Sequence, residues 1–404
     1  MDDATALLVT VTGRDRPGIT SALCTTLDER GARILDMEQV VLRDRLILGI
    51  LISCGEDEHA TRSALATTAG ALGVEVEFAT MAARRPGAPR VRHAVVLLGQ
   101  PLRARAIAAS ARRIAECGAN IDRIVRLSRY PIMGLELLVA GGDPERLRAE
   151  LAQTAAEQHI DVAVQRATIY RRAKRLIVMD VDSTLVQGEV IEHLAAHAGV
   201  EEEVAAITAA AMAGELDFEA SLRARVARLE GLPESTLAHV RDNLELTPGA
   251  HTLVRTLRRL GFVLAIVSGG FSQITDDLKA RLGLDYAVAN TLEVVDGRLT
   301  GRLTGPVIDR AAKAEALTRF AAQARVPISQ TVAVGDGAND LDMLGAAGLG
   351  IAFNAKPVVR KAADTAVSVP YLDAILFMLG ITSEEIEAAD AEDDVPSELR
   401  ASYR

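Results

Sequence analysis

Four stretches of this chain are apolar without alternation and end on polar or glycine tips. They are RLIVMDVD (175–182), FVLAIVSGG (262–270), TVAVGDG (331–337) and LGIAF (349–353). A strand that is apolar on both faces must be covered on both sides, as central strands of a parallel sheet are. Helical patterns separate the runs, at 250–260, 272–282, 310–324 and 339–346, with Thr247-Pro248 reading as an N-cap followed by a first-turn proline. Residues 174–380 therefore read as a doubly wound α/β domain. It carries two insertions. Residues 188–246 are helical only, too long for a crossover, and read as a cap over the sheet. Residues 290–305 read as a β-hairpin turning at Asp296-Gly297.

Ahead of this domain lies an internal repeat. Residues 5–80 and 93–168 each read strand, helix, strand, strand, helix, strand, and Glu29-Arg30-Gly31-Ala32 falls where Glu116-Cys117-Gly118-Ala119 does. The order βαββαβ is ferredoxin-like, with helices on one face of an antiparallel sheet. The units are expected at 1–82 and 91–170, joined by a connector at 82–90 that contains two prolines. Residues 381–404 read as a solvated acidic tail, with Glu384, Glu385, Glu387, Asp390, Glu392, Asp393 and Asp394 close together.

Composition narrows the function. The chain has 404 residues, 49% of them apolar, enough for several cores. Its 55 acids against 45 Lys and Arg argue against a nucleic-acid or membrane-surface binder. Cys24, Cys54 and Cys117 lack metal or disulfide spacing, and the acidic start is unlike a secretory signal, so a reducing cytoplasm is expected. The longest weakly charged run, 343–355, is broken by Gly345, Gly348 and Gly350 and is too short to span a membrane.

The chemistry sits at the strand tips, where open α/β sheets bind ligands. Asp180 and Asp182 are two residues apart, so both can face one cavity. One ionised carboxylate can attack phosphorus, and a second can protonate the leaving oxygen and then activate water. Two acids repel a phosphate dianion by about 4 kcal/mol per contact at ~4 Å. A cation must cancel this, and Mg²⁺ takes carboxylate and phosphate oxygens together. Ser268-Gly269-Gly270 offers a hydroxyl and close backbone approach to a phosphate. Lys313 is one of only five lysines and suits a single phosphate oxygen. Gly335-Asp336-Gly337-Ala338-Asn339-Asp340 suits a hard cation.

At these residues the chain resembles the haloacid-dehalogenase-like phosphatases, and among them the phosphoserine phosphatases. The opening motif Asp180-Val181-Asp182-Ser183-Thr184-Leu185-Val186 with Glu189, and the segments Gly214–Glu219 and Ser221–Val226, carry the closer likeness. The repeated units resemble ACT domains. The resemblance implies that Asp180 is a nucleophile forming an aspartyl phosphate and Asp182 the proton donor. It implies Mg²⁺ on Asp180, the Asp182 carbonyl and Asp336, supported by Asp340. Ser268, the Gly269 amide and Lys313 would hold phosphate, Asn339 substrate or the attacking water. Glu189 and Arg225 would read the ammonium and carboxylate of a serine moiety.

The expected reaction is Mg²⁺-dependent hydrolysis of O-phospho-L-serine, ending serine synthesis. Asp15, Arg16 and Gly18 resemble an ACT ligand loop for serine or another amino acid. The second unit has Gln100-Pro101-Leu102-Arg103 there, without the Pro-Gly pair. A homodimer or higher homo-oligomer is expected. Alternatives are another small phosphometabolite, a phosphoprotein, or a regulatory amino-acid-binding protein.

Overall fold

In a computed structural model, the structure describes residues 5–54, 57–82, 91–168, 171, 173–212 and 215–396. The chain divides into two compact units, Met1–Pro89 and Arg90–Arg404. The connector expected at 82–90 lies, past Ala82, outside the described residues, as does Gly214.

The first unit runs β1 (Thr5–Arg14), α1 (Ile19–Glu29), β2 (Arg33–Leu42), β3 (Arg45–Ser53), α2 (Glu58–Leu72) and β4 (Val74–Ala82). Its strands pair antiparallel in the order β2-β3-β1-β4. Alternation in RLILGILIS buries Leu46, Leu48, Ile50 and Ile52 with Leu23, Leu27 and Leu65 of the helices, and leaves Ile47 exposed. Asp57 caps α2 by accepting from the Ala60 amide at 2.8 Å.

The second unit begins with the same motif: β5 (Arg92–Gly99), α3 (Ala104–Glu116), β6 (Ala119–Ser128), β7 (Met133–Gly141), α4 (Pro144–Gln158) and β8 (Asp161–Arg166). Then follow β9 (Leu176–Met179) and the inserted helices α5 (Val190–Ala198), α6 (Glu201–Met212), α7 (Phe218–Ala227) and α8 (Glu234–Asn243). Next come α9 (Ala250–Arg259), β10 (Val263–Phe271), α10 (Ser272–Leu282), β11 (Tyr286–Val295), β12 (Arg298–Thr304), α11 (Arg310–Ala324) and β13 (Thr331–Gly335). The chain continues through α12 (Leu341–Ala346), β14 (Gly350–Phe353), α13 (Pro357–Ala362), β15 (Thr365–Val367), α14 (Ala374–Met378) and α15 (Ser383–Glu392).

All its strands join one sheet, ordered β12-β11-β10-β9-β13-β14-β15-β8-β5-β7-β6. From β11 to β15 the ladder is parallel, and the hairpin strand β12 returns antiparallel. The chain steps from β9 to β10 on one side and later to β13 on the other. That reversal at β9 opens the crevice in which such sheets bind ligands. The ferredoxin-like sheet is stitched on through Thr365 opposite Ala163. Gln165 Nε2 also donates to the Met378 carbonyl at 2.9 Å. Strand β5 is accordingly buried on both faces. Val95 and Leu97 pack with its own helices, while Val96 and Leu98 belong to the core of the parallel domain with Leu376 and Phe377.

Two expectations are corrected. Thr247 does not cap a helix: its hydroxyl donates to the Thr184 carbonyl at 2.7 Å, and α9 starts two residues later behind Gly249 at φ 85°. The left-handed turn needs glycine there, since a Cβ would also collide with Asp373. The acidic segment is not a solvated tail as far as residue 396. Thr382 and Glu385 form a capping box at the start of α15. Asp390 is buried between Arg255 and Arg259, with contacts of 2.7 and 2.6 Å. Asp393 also meets Arg259, and Glu384 meets Arg126. Of the seven acids, Glu384, Asp390 and Asp393 meet arginines from elsewhere in the fold, and Asp390 alone is buried. Residues 397–404 lie outside the described residues. Among the described residues no helix is long and apolar enough to cross a membrane.

Burial alone would raise the Asp390 carboxyl, but the two guanidinium groups outweigh it and hold its pKa below the ordinary value. A depressed carboxylate stabilises above the unfolded pKa, about 4, and loses that contribution as pH falls through the folded value. Asp390→Asn should cost about 3 kcal/mol at neutral pH. Urea unfolding at pH 7 and pH 3 should show the gap closing on acidification, and an equal gap at both would contradict the pairing.

Candidate active site

The site is built on the tips of β9, β10 and β13 and on α11. The Asp180 amide donates to the Val334 carbonyl at 2.9 Å, which fixes the tip of β9 to that of β13. Lys313, in the first turn of α11, is fully buried; its Nζ lies 2.8 Å from Asp180 Oδ1 and 2.7 Å from Asp340 Oδ1. Asp309 starts that helix by accepting from the Ala312 amide at 2.8 Å. Asp340 Oδ2 accepts from the Gly337 amide at 3.0 Å. Residue 335 has to be glycine, because a Cβ there would run into the Asp340 carboxyl.

Burial raises the Asp180 carboxyl well above its ordinary value, and Asp340 adds to the rise against Lys313. Burial works against the Lys313 charge, but the carboxylates outweigh it and hold the ammonium above the ordinary lysine range. Asp336 is pushed up to about 6 by burial and then by Asp340, while Thr184 Oγ1 donates to it at 3.4 Å. Asp180, Asp336 and Asp340 bring carboxylate oxygens within 4.8 Å of one another. An all-oxygen, crowded, acidic set suits a hard divalent cation.

Asp182 is held from two sides. Its Oδ1 accepts from the Val190 amide at the start of α5 at 2.8 Å, and its Oδ2 accepts from Ser268 Oγ at 3.1 Å. Ser268 Oγ itself accepts from the Gly270 amide at 2.7 Å. Asn290 braces this turn, donating to the Gly269 carbonyl and accepting from the Ile308 amide, both at 2.8 Å. The Phe218 ring packs at Gly269, where a Cβ would lie 3.1 Å from it.

Glu189 occupies the N-cap position of α5 without capping it; its Oε2 is 3.6 Å from Arg225 Nη1 of α7. The Arg225 side chain is 12% exposed, and its Nε has no hydrogen-bond partner. Burial pushes the Glu189 carboxyl up, Asp182 pushes it further, and Arg225 and Lys356 pull the other way.

The structure thus brings Asp180, Asp182, Ser268, Gly269, Lys313, Asp336 and Asp340 to one crevice. Asn339 is next to Asp340 in a single 3₁₀ turn, and Glu189 pairs with Arg225 beside Asp182. Asp15, Arg16 and Gly18 are exposed in the other unit, with Gly18 at φ 97° before α1. The corresponding position before α3 is Arg103 in extended backbone. Thr184, Asn290 and Lys356 were missed by sequence reading. Thr184 lies inside the first motif and Lys356 is one of five lysines, but nothing local marks Asn290.

The chain matches the haloacid dehalogenase-like hydrolases over residues 177–345 and ACT domains over residues 5–79 and 91–165. The phosphoserine phosphatase of Streptomyces coelicolor is 56% identical over 390 residues, covering 96% of this chain and 95% of that one. This chain belongs to the phosphoserine phosphatase family. Phosphoserine phosphatase SerB2 of Mycobacterium tuberculosis is 54% identical over 397 residues, 96% of each chain. Among solved structures, the probable phosphoserine phosphatase of Vibrio cholerae, unliganded, aligns with a TM-score of 0.57 at 38% identity, over 75% of this chain and 89% of that one. A haloacid-dehalogenase family hydrolase of Salmonella enterica serovar Typhi aligns with a TM-score of 0.63 at 30% identity, over 71% and 98%.

In this phosphatase, Lys313→Ala leaves two buried carboxylates without their cation. The expected loss is about 3–5 kcal/mol. Urea unfolding in chelator measures it, and adding Asp340→Asn to Lys313→Ala should recover part of the loss.

Proposed function

We propose that the enzyme hydrolyses O-phospho-L-serine to L-serine and phosphate, the step that completes serine synthesis. The observation that carries this reading is the Glu189–Arg225 pair beside Asp182, because an amino-acid head group needs one acid and one base to read it. Arg225 would take the substrate carboxylate in two parallel hydrogen bonds, using an Nε that has no partner of its own. Glu189 would take the ammonium. The names of the relatives point the same way.

Asp180, Asp336 and the carbonyl of Asp182, with Asp340 in support, would hold Mg²⁺. Bound there, it supplies the positive charge that lets a phosphate dianion sit among carboxylates. Asp180 Oδ1 already accepts from Lys313 Nζ and from the Val181 amide at 2.8 Å, which leaves Oδ2 to attack phosphorus. As that bond forms, the bond from phosphorus to the serine oxygen breaks, and Asp182 donates a proton to the leaving oxygen. Asp182 then takes a proton from the water that attacks the aspartyl phosphate, releasing phosphate and restoring Asp180. Ser268, the Gly269 amide and Lys313 would hold the phosphate oxygens, and Asn339 the substrate or the incoming water. Helices α5–α8, residues 188–246, would close over the crevice and exclude bulk water.

The ACT domains would sense an amino acid, serine being the first candidate, at Asp15, Arg16 and Gly18. Arg103 in the position of Gly18 argues for one such loop per chain. Edge strand β2 exposes Ile34, Leu35, Val40, Val41 and Leu42, which suits pairing of copies into a homodimer or larger assembly. The cysteines are unpaired, in keeping with a reducing cytoplasm.

Asp180→Asn should lower phosphate release from phosphoserine by about three orders of magnitude or more with Mg²⁺ present. Retained turnover would remove the nucleophile assignment. Arg225→Ala should lower kcat/KM on phosphoserine by roughly 100-fold, the worth of a lost charged hydrogen-bond pair. Its kcat/KM on p-nitrophenyl phosphate should stay within about threefold. Equal losses on both would place Arg225 outside head-group recognition, and a panel of small phosphate esters and phosphopeptides tests the substrate class.

A further inference from the structure

Thr247 stands at the neck of the cap, where the chain leaves residues 188–246 and returns to the sheet. The two neck segments pair antiparallel. The Thr247 amide donates to the Leu185 carbonyl and the Gln187 amide to the Glu245 carbonyl, both at 2.9 Å, with Val186 opposite Leu246. On the other side of Thr247, the Pro248 carbonyl accepts from the Leu372 amide at 2.7 Å. The backbone of Thr247 is therefore fixed from two directions, and its hydroxyl points from a set place.

That hydroxyl donates to the Thr184 carbonyl at 2.7 Å, and both residues are buried. Thr184 belongs to the turn that follows Asp180 and Asp182. In that turn the Val181 carbonyl accepts from the amides of Thr184, Leu185 and Val186 at 3.2, 2.9 and 3.0 Å. Ser183 stands at φ 56°, a left-handed conformation that a residue other than glycine keeps only where its surroundings enforce it. The Thr184 hydroxyl leaves the turn on the far side and donates to Asp336 Oδ1 at 3.4 Å. This is at the long limit of a hydrogen bond, so a small movement of the turn breaks it. The Asp182 carbonyl lies in the same turn. One threonine thus holds the main chain of the turn, and the next reaches from it to a carboxylate of the acidic cluster.

We propose that Thr247 is a positioning residue for the metal site: its hydroxyl holds the Thr184 turn in the conformation that presents the Asp182 carbonyl and Asp336 to Mg²⁺. The proposal rests on the Mg²⁺ reading above. It adds the device that keeps two ligands, from the tips of β9 and β13, at a fixed separation. Outer partners of metal ligands typically change metal affinity or activity by about 10–100-fold. Thr247 acts through Thr184 and not on the substrate, so its effect passes through the metal.

Calorimetric titration of the full-length enzyme with Mg²⁺, beside the Mg²⁺ dependence of phosphoserine turnover, tests this. Thr247→Val keeps the shape of the side chain and removes the donor. It should weaken Mg²⁺ binding by about tenfold and raise the Mg²⁺ concentration for half-maximal turnover by the same factor. At saturating Mg²⁺ its KM for phosphoserine should stay within about twofold, since Glu189 and Arg225 are untouched. Thr247→Ser keeps the hydroxyl and should restore Mg²⁺ affinity to within about threefold of the wild type. Thr184→Val should lose at least as much as Thr247→Val, and the double variant little more than Thr184→Val alone, because the two hydroxyls act in series. Unchanged Mg²⁺ affinity in Thr247→Val overturns the proposal, and a loss confined to urea stability would make Thr247 a structural residue only. Thr247→Ser as weak for Mg²⁺ as Thr247→Val overturns it too. A wild-type enzyme that binds no Mg²⁺ would overturn the metal reading itself, and the proposal with it.

Discussion

The site is organised by one buried ammonium between two carboxylates. Lys313 cannot be hydrated where it lies, so Asp180 and Asp340 must supply its hydrogen bonds, and their positions follow from its own. The constraint propagates outward. Asp340 sits close enough only because residue 335 has no side chain, and it is steadied by the Gly337 amide. With Asp336 included, three carboxylates stand against one ammonium, a surplus of two negative charges when all are ionised. Burial raises the Asp180 and Asp336 carboxyls, and the neighbouring Asp340 carboxylate adds to both, so protons meet part of that surplus where no cation is bound. A divalent cation cancels the same surplus, so the high carboxyl pKa values and the proposed metal express one electrostatic condition.

The strand tips were legible because a strand buried on both faces writes its environment into consecutive residues. Met179, Val267 and Val334 could be placed without knowing their neighbours, and the polar residue after each run had to lie at the sheet edge. Lys313 was legible for a compositional reason: in a chain that uses arginine almost throughout, a lysine in a first helical turn stands out. Long-range partners were not legible. Asp390 is 135 residues from Arg255 and 131 from Arg259, so a window on residues 384–394 contains acids and no basic residue to pair with them. Asn290 likewise acts on Gly269 and Ile308, each about twenty positions away. Thr247 misled because local propensity rewards a hydroxyl before proline, whereas the fold uses that hydroxyl on the Thr184 carbonyl.

The two ACT repeats show how one topology serves two settings. In the first, alternation along β3 leaves one sheet face open, with Ile47 exposed. In the second, β5 reads HAVVLLG without alternation, because Val96 and Leu98 pack into the hydrolytic core. That difference was present in the sequence, where a two-sided apolar strand outside the parallel domain signals a sheet covered by something else. Its consequence is that the second ACT domain and the hydrolase share a sheet and a core, joined at β8 and β15.

The two insertions of the hydrolase domain also brace each other. Gly231 donates to the Leu299 carbonyl at 2.8 Å, Leu299 to Leu232 at 2.9 Å and Glu234 to Gly297 at 2.9 Å, so the α7–α8 half of the cap is bonded to the β11–β12 hairpin. The other half is fixed at its root, where Val190 donates to Asp182. Arg225 belongs to the hairpin-bonded half and Glu189 to the half rooted at Asp182. A substrate head group that engages both must therefore bridge two separately anchored pieces of the cap. Its binding energy can be spent on setting α7 against α5 directly above Asp182, and a phosphate ester without that head group has no means of doing so.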